Sequence, residues 1–313
     1  MKQIVIIGGP TATGKSDAAI CLAKKLDTQI ISCDSMQIYK HMDIGTAKIT
    51  KDEMSGIKHH MIDIINPDKE FSAAEYYKKC EPIMNDLFSQ QKIPIFVGGT
   101  GLYINSLMFD MDFGKTHDTS ETRAKYINYF NNFGLEKLCE LYEKTVLEQN
   151  LEDNLSDKKN PVRIIRALEI IESGGNKSKF NQLKRKTDYK INLFVLTLER
   201  QKLYNKIDKR VEKMIGDGLY EEVQNLYFKY GPNNQAFKAI GYKELINYII
   251  NKTAEADTDF KTYAEEIKKN TRHYAKRQLT WFKRYDFAQF IDVENFDMNP
   301  EKIADYIYKN IVL

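Results

Sequence analysis

Cysteine is scarce in this 313-residue chain. The four residues, Cys21, Cys33, Cys80 and Cys139, lie far apart with no C-x-x-C spacing. That pattern excludes a disulfide framework or a zinc knuckle and fits a reduced, cytoplasmic setting. Long hydrophobic runs are lacking too. After Met1-Lys2-Gln3 the apolar stretch Ile4-Val5-Ile6-Ile7 runs straight into glycine. It is too short to span a membrane, and a chemical motif follows it where a signal peptide would have a cleavage site, so no membrane partner is expected. The chain has only seven prolines and no Pro-rich linker, low-complexity tract or internal repeat. Neither sign of charge dominates: 47 Lys and Arg face 44 Asp and Glu, for a net charge of +3. A general attraction to polyanions is thereby excluded. With 42% hydrophobic and 29% charged residues, so is a mostly disordered chain.

The charge is unevenly placed. Residues 158–190 carry ten basic and three acidic side chains, and residues 265–285 seven and two, whereas residues 115–157 are net acidic. Two basic patches in a nearly neutral chain point to a local polyanion contact. The first hundred residues alternate short apolar runs with amphipathic stretches. Strands are expected at Ile4–Ile7, Gln29–Cys33 and Ile93–Val97, and helices at Asp17–Leu26 and Ala73–Gln90. This predicts an α/β fold with a parallel sheet covered on both faces. Near Phe113 the texture turns helical and polar, and Asn192–Leu198 restores a strand pattern. The expected organisation is a first part of the core over residues 1–113, a helical insertion over 114–188, and a return to the core with C-terminal helices over 189–313.

Gly9-Pro10-Thr11-Ala12-Thr13-Gly14-Lys15-Ser16 matches G-x-x-x-x-G-K-[ST] between a strand and a helix. Such a loop curls so that backbone N–H groups point at an anion, and the positive end of the following helix adds to the field. Lys15 supplies a point charge, and the Ser16 hydroxyl is a candidate ligand for Mg²⁺ on the phosphate oxygens. A bound di- or triphosphate is the expectation.

The strand Ile93–Val97 ends in Gly98-Gly99-Thr100, with no acid to hold the metal of a motor or switch NTPase. Asp34, at the carboxyl end of Gln29–Cys33, is the one carboxylate placed where ligands bind in such sheets. It suits an indirect metal ligand or a general base. This arrangement favours transfer to an acceptor over hydrolysis. From the pattern alone, a small-molecule kinase and another transferase stand level.

The stretch Asp34-Ser35-Met36-Gln37-Ile38-Tyr39-Lys40-His41-Met42-Asp43-Ile44-Gly45-Thr46-Ala47-Lys48 breaks the tie. With the phosphate loop and Val97-Gly98-Gly99-Thr100-Gly101-Leu102-Tyr103, it resembles tRNA dimethylallyltransferases. The resemblance continues through Arg163-Ile164-Ile165-Arg166-Ala167-Leu168-Glu169, Ala239-Ile240-Gly241-Tyr242-Lys243 and Lys276-Arg277-Gln278-Leu279-Thr280-Trp281-Phe282. It implies a P-loop NTPase-like fold, dimethylallyl diphosphate as substrate, and transfer to N6 of adenine 37 in the anticodon stem-loop of tRNA. No Cys/His pair here could form the C-terminal zinc finger of many eukaryotic members, so the resemblance is to the bacterial type. A monomer is expected.

The resemblance also implies roles. Asp34 would take the N6 proton, Thr100 would stand near the reacting groups, and Arg210 would add charge at the diphosphate. Asp34, Ser35, Met36, Gln37 and Thr100 would meet the anticodon loop. Arg123, Arg163, Arg166, Lys238, Gly241, Lys243, Lys276 and Arg277 would add further tRNA contacts. The helical periodicity of residues 264–284 supports the last of these. Lys268, Lys269, Arg272, Lys276 and Lys283 share one side, free of acids, opposite Ala264, Ile267, Tyr274, Ala275, Gln278, Trp281 and Phe282. Trp281 is expected to be buried, Cys33 to be a packed strand residue, and the adjacent His59-His60 to diverge and hold no metal. An adenylate isopentenyltransferase or a metabolite kinase is the alternative, but it leaves both basic stretches without a task. A non-enzymatic RNA-binding module leaves the phosphate loop and Asp34 unexplained.

Overall fold

The computed structural model describes residues 2–111, 120–153, 155, 157–174, 183–253 and 259–311. The chain divides into two compact units, one of Met1–Met108 with Thr187–Leu313 and one of Phe109–Lys186.

The larger unit is built on a six-stranded sheet. Its strands are β1 (Gln3–Gly8), β2 (Ile30–Ser32), β3 (His59–His60), β4 (Ile95–Val97), β5 (Lys190–Thr197) and β6 (Gln289–Asp292). They lie in the order β3-β2-β4-β1-β5-β6, and every pairing is parallel. Alternate residues of a strand face opposite ways. In β1 both sets are fully buried, Val5 and Ile7 as well as Ile4 and Ile6, so both faces of the sheet are covered. Val5 and Ile7 join a core with Ala18 and Leu22 of α1 (Lys15–Lys25) and Ile303 and Ile307 of α10 (Pro300–Asn310). On α2 (Ala73–Ser89), fully buried Tyr76 donates its hydroxyl to the carbonyl of Ser32 at 2.9 Å. A Ser72–Glu75 capping box starts α2. The helix α3 (Gly101–Met108) follows β4, and α6 (Arg200–Gly216), α7 (Leu219–Tyr230), α8 (Tyr242–Thr253) and α9 (Phe260–Phe282) follow β5. The sheet and its helices form the expected P-loop NTPase-like α/β architecture.

Each strand expected in this unit is present, with slightly different limits. Two were not expected. β3 is two residues long and β6 exposes three of its four residues, so neither carries the continuous apolar pattern of a buried strand. Both lie at sheet edges, where one side has no partner strand.

The smaller unit packs α4 (Ser120–Glu148) against α5 (Pro161–Glu172), with Leu138, Tyr142, Ile164 and Leu168 in its core. The helix α4 breaks at Gly134, whose φ of 78° and ψ of −177° are far from helical values. The carboxamide oxygen of Asn160 accepts from the Val162 N–H at 3.1 Å, capping α5.

Candidate active site

The phosphate loop leaves β1 through Gly9, at φ 133°. A Cβ there would stand 2.4 Å from the carbonyl oxygen of Leu196, so only glycine fits. The loop enters α1 at Gly14, a left-handed N-cap without a side-chain capping bond. The N–H groups of the first turn are therefore left to an anion. Inside the loop the Thr13 hydroxyl donates to the carbonyl of Pro10 at 2.9 Å, and Lys15 Nζ donates to the same oxygen at 2.5 Å. Burial, then the positive charge of Arg210, lowers the Lys15 pKa to about 7, and Asp34 opposes the shift. Arg210 of α6 is lowered by its own burial, again opposed by Asp34. Lys15, Arg210 and Asp34 thus lie within electrostatic reach of one another. Two cations held close together in a partly desolvated crevice are a receptor for a polyanion.

Asp34 follows β2. Its Oδ1 accepts from the Met36 N–H at 2.9 Å, so part of the carboxylate forms the turn as well as facing the crevice. Across from it, Thr100 Oγ1 accepts from the Ser35 N–H at 3.0 Å. The Thr100 N–H donates to the carbonyl of Cys33 at 3.0 Å, which ties the turn after β4 to the turn after β2. Tyr274 of α9 lies here as well, with its hydroxyl beside the side chains of Thr100 and Gln278. Burial, then the charge of Asp34, raises its phenol. Gln37 points inward, with Ser32 Oγ donating to its Oε1 at 3.3 Å and Nε2 donating to the carbonyls of Thr46 and Ala47 at 3.4 Å. Cys33 is fully buried just past β2, its sulfur 3.0 Å from the Tyr76 hydroxyl, and burial pushes its thiol up.

The segment from Asp34 to Lys48 is braced at its far end. Glu222 of α7 accepts from the N–H groups of Asp43 at 2.8 Å, Ile44 at 2.8 Å and Gly45 at 3.1 Å. Lys48, with 5% of its side chain exposed, donates to the carbonyl of Tyr39 at 2.7 Å and bridges Asp43 and Asp63, both at 2.6 Å.

Of the other basic residues singled out by sequence, Lys276, Arg277, Lys238 and Lys243 are exposed. Gly241, at φ 94°, donates its N–H to the buried Glu244 at 2.7 Å. The acid-free face of α9 needs correction. Lys268 bridges Glu212 and Glu265 at 2.8 and 2.9 Å, and Arg272 reaches Asp208 at 2.5 Å. Two of these acids come from α6, which a wheel drawn for one helix does not show. Trp281 is only partly buried, with its indole N–H on the Tyr285 hydroxyl at 2.7 Å. His59 lies 2.8 Å from the carbonyl of Ile57 and His60 2.6 Å from Gln29 Oε1, so the two rings do diverge.

Within the smaller unit, Arg123 Nε and Arg166 NH1 converge on Glu169, at 3.3 and 2.8 Å, and that carboxylate is fully buried. Arg163 pairs with Asp157 at 3.3 Å and stays exposed.

Tyr274, Gln278, Glu222 and Glu169 were not singled out by sequence. Tyr274 and Gln278 lie on the apolar side of their helix, and a polar residue on such a side is the signal that could have found them. Glu222 lies far along the chain in a helix without a motif, and nothing local marks it.

Comparisons with known proteins fit this arrangement. Residues 37–285 match the model of the family described as IPP transferase. A tRNA dimethylallyltransferase of Caldanaerobacter subterraneus is 43% identical over 97% of this chain and 97% of its own. One from a Thermoanaerobacter species is 43% identical over 98% and 96%. The crystal structure of the full-length tRNA isopentenylpyrophosphate transferase of Bacillus halodurans superposes with a TM-score of 0.72 at 34% identity, covering 99% of this chain and 96% of that one. A eukaryotic dimethylallyltransferase acting on tRNA gives 0.76 at 26% identity, covering all of this chain and 80% of that one. With a family model spanning most of its length and relatives matched end to end, the chain belongs to the IPP transferase family.

Proposed function

We propose that the protein transfers the dimethylallyl group of dimethylallyl diphosphate to N6 of adenine 37 in tRNAs that read codons beginning with U. The products are N6-(dimethylallyl)adenosine and pyrophosphate. The observation that carries this reading is the gathering of Lys15, Arg210 and Asp34 within electrostatic reach of one another at the uncapped phosphate loop, with Thr100 bonded to the Ser35 N–H next to Asp34.

Each group has a task in that reaction. A bond forms between N6 and C1 of the dimethylallyl group as the bond from C1 to the diphosphate oxygen breaks. The bonding pair leaves with pyrophosphate. Charge grows on the departing oxygens, where Gly9, Pro10, Thr11, Ala12, Thr13 and Gly14 shape the cradle and Lys15 and Arg210 meet it. The N6 lone pair is conjugated with the ring, so attack needs help from a base. Asp34 takes the N6 proton, a contribution typically of about 10²–10⁴-fold. Thr100 fixes the Ser35 backbone beside it.

Among the described residues, no three His, Cys, Asp or Glu side chains gather into a metal cage. The donors on hand are oxygens, the Ser16 hydroxyl foremost. That set fits Mg²⁺, which is bound through few protein ligands together with substrate phosphates. When bound, the ion would supply positive charge at the diphosphate.

The acceptor lies beside Ser35, Met36 and Gln37, and the target base must leave its stack to enter. Exposed Arg163, Lys238, Lys243, Lys276 and Arg277 hold the anticodon stem-loop by its phosphates, and Arg123, Arg166 and Gly241 add further tRNA contacts. Gln37 must exchange its internal bonds for an adenine edge as the tRNA enters. The protein works in the cytoplasm as a monomer. Among the described residues no helix is long and apolar enough to cross a membrane.

The test is incubation with labelled dimethylallyl diphosphate, Mg²⁺ and either unmodified tRNA with A36-A37-A38 or free AMP, with ATP turnover as control. Label at A37 alone supports the assignment. Label in AMP, or turnover of ATP alone, overturns it.

A further inference from the structure

Gln278 lies in the run Lys276-Arg277-Gln278, directly after two residues read as tRNA contacts, yet it turns the other way. Lys276 and Arg277 are exposed, whereas Gln278 is 6% exposed. Its Oε1 accepts the Thr11 N–H at 3.0 Å, and its Nε2 donates to the carbonyl of Gly99 at 3.2 Å. A backbone N–H only donates and a carbonyl only accepts, so the two partners dictate which way the carboxamide faces. No other side chain of that length offers a donor and an acceptor in one neutral plane.

The contact is built into the backbone as well. A Cβ on Gly99 would stand 1.8 Å from Gln278 Nε2, so a side chain at 99 and this amide cannot coexist. One turn earlier on α9, the Tyr274 hydroxyl lies beside both Gln278 and Thr100. A single side chain therefore spans from the phosphate loop to the turn that carries Thr100. It also takes the Thr11 N–H that would otherwise be aimed at an anion.

We infer that Gln278 is a positioning residue for the diphosphate subsite, holding the Thr11 corner of the phosphate loop at a fixed distance from the Gly99-Thr100 turn. It does not contact tRNA, and it serves the half of the reaction opposite to that of its chain neighbours. The inference rests on the phosphate loop as an anion site, which is one part of the function proposed above, and not on the identity of the acceptor.

Gln278→Met keeps the length and removes both polar contacts. A buried N–H and C=O left without partners should loosen the loop, and pyrophosphate affinity, measured by calorimetry with Mg²⁺, should fall about tenfold or more. Affinity for unmodified tRNA, measured by filter binding, should stay within about twofold. Unchanged pyrophosphate binding overturns the inference, and so does an equal loss of tRNA affinity. A second measurement needs no variant. The Thr11 amide of the unliganded wild-type protein should exchange with solvent slowly, and rapid exchange overturns the inference even if Gln278→Met does not fold. If the wild-type protein binds pyrophosphate with a protected Thr11 yet transfers no label to tRNA, the proposed reaction fails and the role of Gln278 stands.

Discussion

The Tyr242 hydroxyl donates to the Glu222 carboxylate at 2.5 Å, while the ring of Tyr242 fills the space that a Cβ on Gly45 would need. Together the two side chains clamp the 43–45 corner. Glu222 supplies the anion for three successive N–H groups, and Tyr242 sets the depth at which that corner lies. Three consecutive N–H groups around one carboxylate form an anion nest with an internal occupant.

Glu222→Ala should free those N–H groups. Bonds to a charged partner contribute about 1.5–3 kcal/mol each, and part of the loss is recovered through water. A destabilisation of about 2–3 kcal/mol is expected in urea unfolding, with faster hydrogen exchange at Asp43, Ile44 and Gly45. Unchanged exchange at these three amides would show that the nest does not hold the segment.

Asp34→Ala should depress the chemical step by about 10²–10⁴-fold. Its Oδ1 bond to Met36 is local, so tRNA affinity should remain nearly intact. Single-turnover kinetics separates the two. A large loss of binding with unchanged turnover contradicts the role of base.

Lys276 is exposed, whereas Lys268 is held by Glu212 and Glu265. With Lys268 and Arg272 neutralised, Lys269, Lys276 and Lys283 remain of the five cations on that side. Their part in the log–log salt dependence of tRNA binding should have a slope of about −2 to −3. Lys276→Ala should flatten the measured slope by nearly one unit, and Lys268→Ala should change it little. Equal effects from both would mean that the internal pairs open when RNA binds.

Burial holds His59 and His60 below their ordinary pKa of 6.5, and Lys58 pushes His60 further down. The folded protein therefore binds fewer protons than the unfolded chain as pH falls below about 6.5, and stability drops through that window. The contribution is complete above 6.5 and is lost as pH falls towards the folded values. Replacing both with asparagine should flatten the melting temperature between pH 7 and 5. A slope equal to that of the wild type would mean that other groups set it.

The centre of the fold was legible because its signals are local. Ile4–Ile7 is apolar on both faces, as a central parallel strand must be, and Gly9–Ser16 carries its chemistry in eight consecutive residues. The β3 strand was not legible, since two histidines bonded to Ile57 and Gln29 carry no period. The face of α9 was read half correctly. Its exposed lysines follow from a helical wheel, but two of the three acids that quench Lys268 and Arg272 belong to α6, some sixty residues away. Glu222 acts at a separation of 177 to 179 residues, and Glu169 gathers Arg123 from another helix. Pairings of this kind exist only once the chain has folded.

Three glycines, at the end of β1, just past β4 and at the start of α3, receive α9. A Cβ on Gly8 would meet Phe282 at 2.5 Å, one on Gly101 would meet Trp281 at 2.3 Å, and one on Gly99 would meet Gln278. The phosphate loop is therefore not a portable module. A chain cut before residue 260 would keep all eight residues of the motif and lose the roof they were shaped to fit. A chimera given the α9 of a distant relative would need that relative's turns grafted with it. The outward lysines can drift with whatever RNA they meet, while the inward side of the same helix is tied to these glycines.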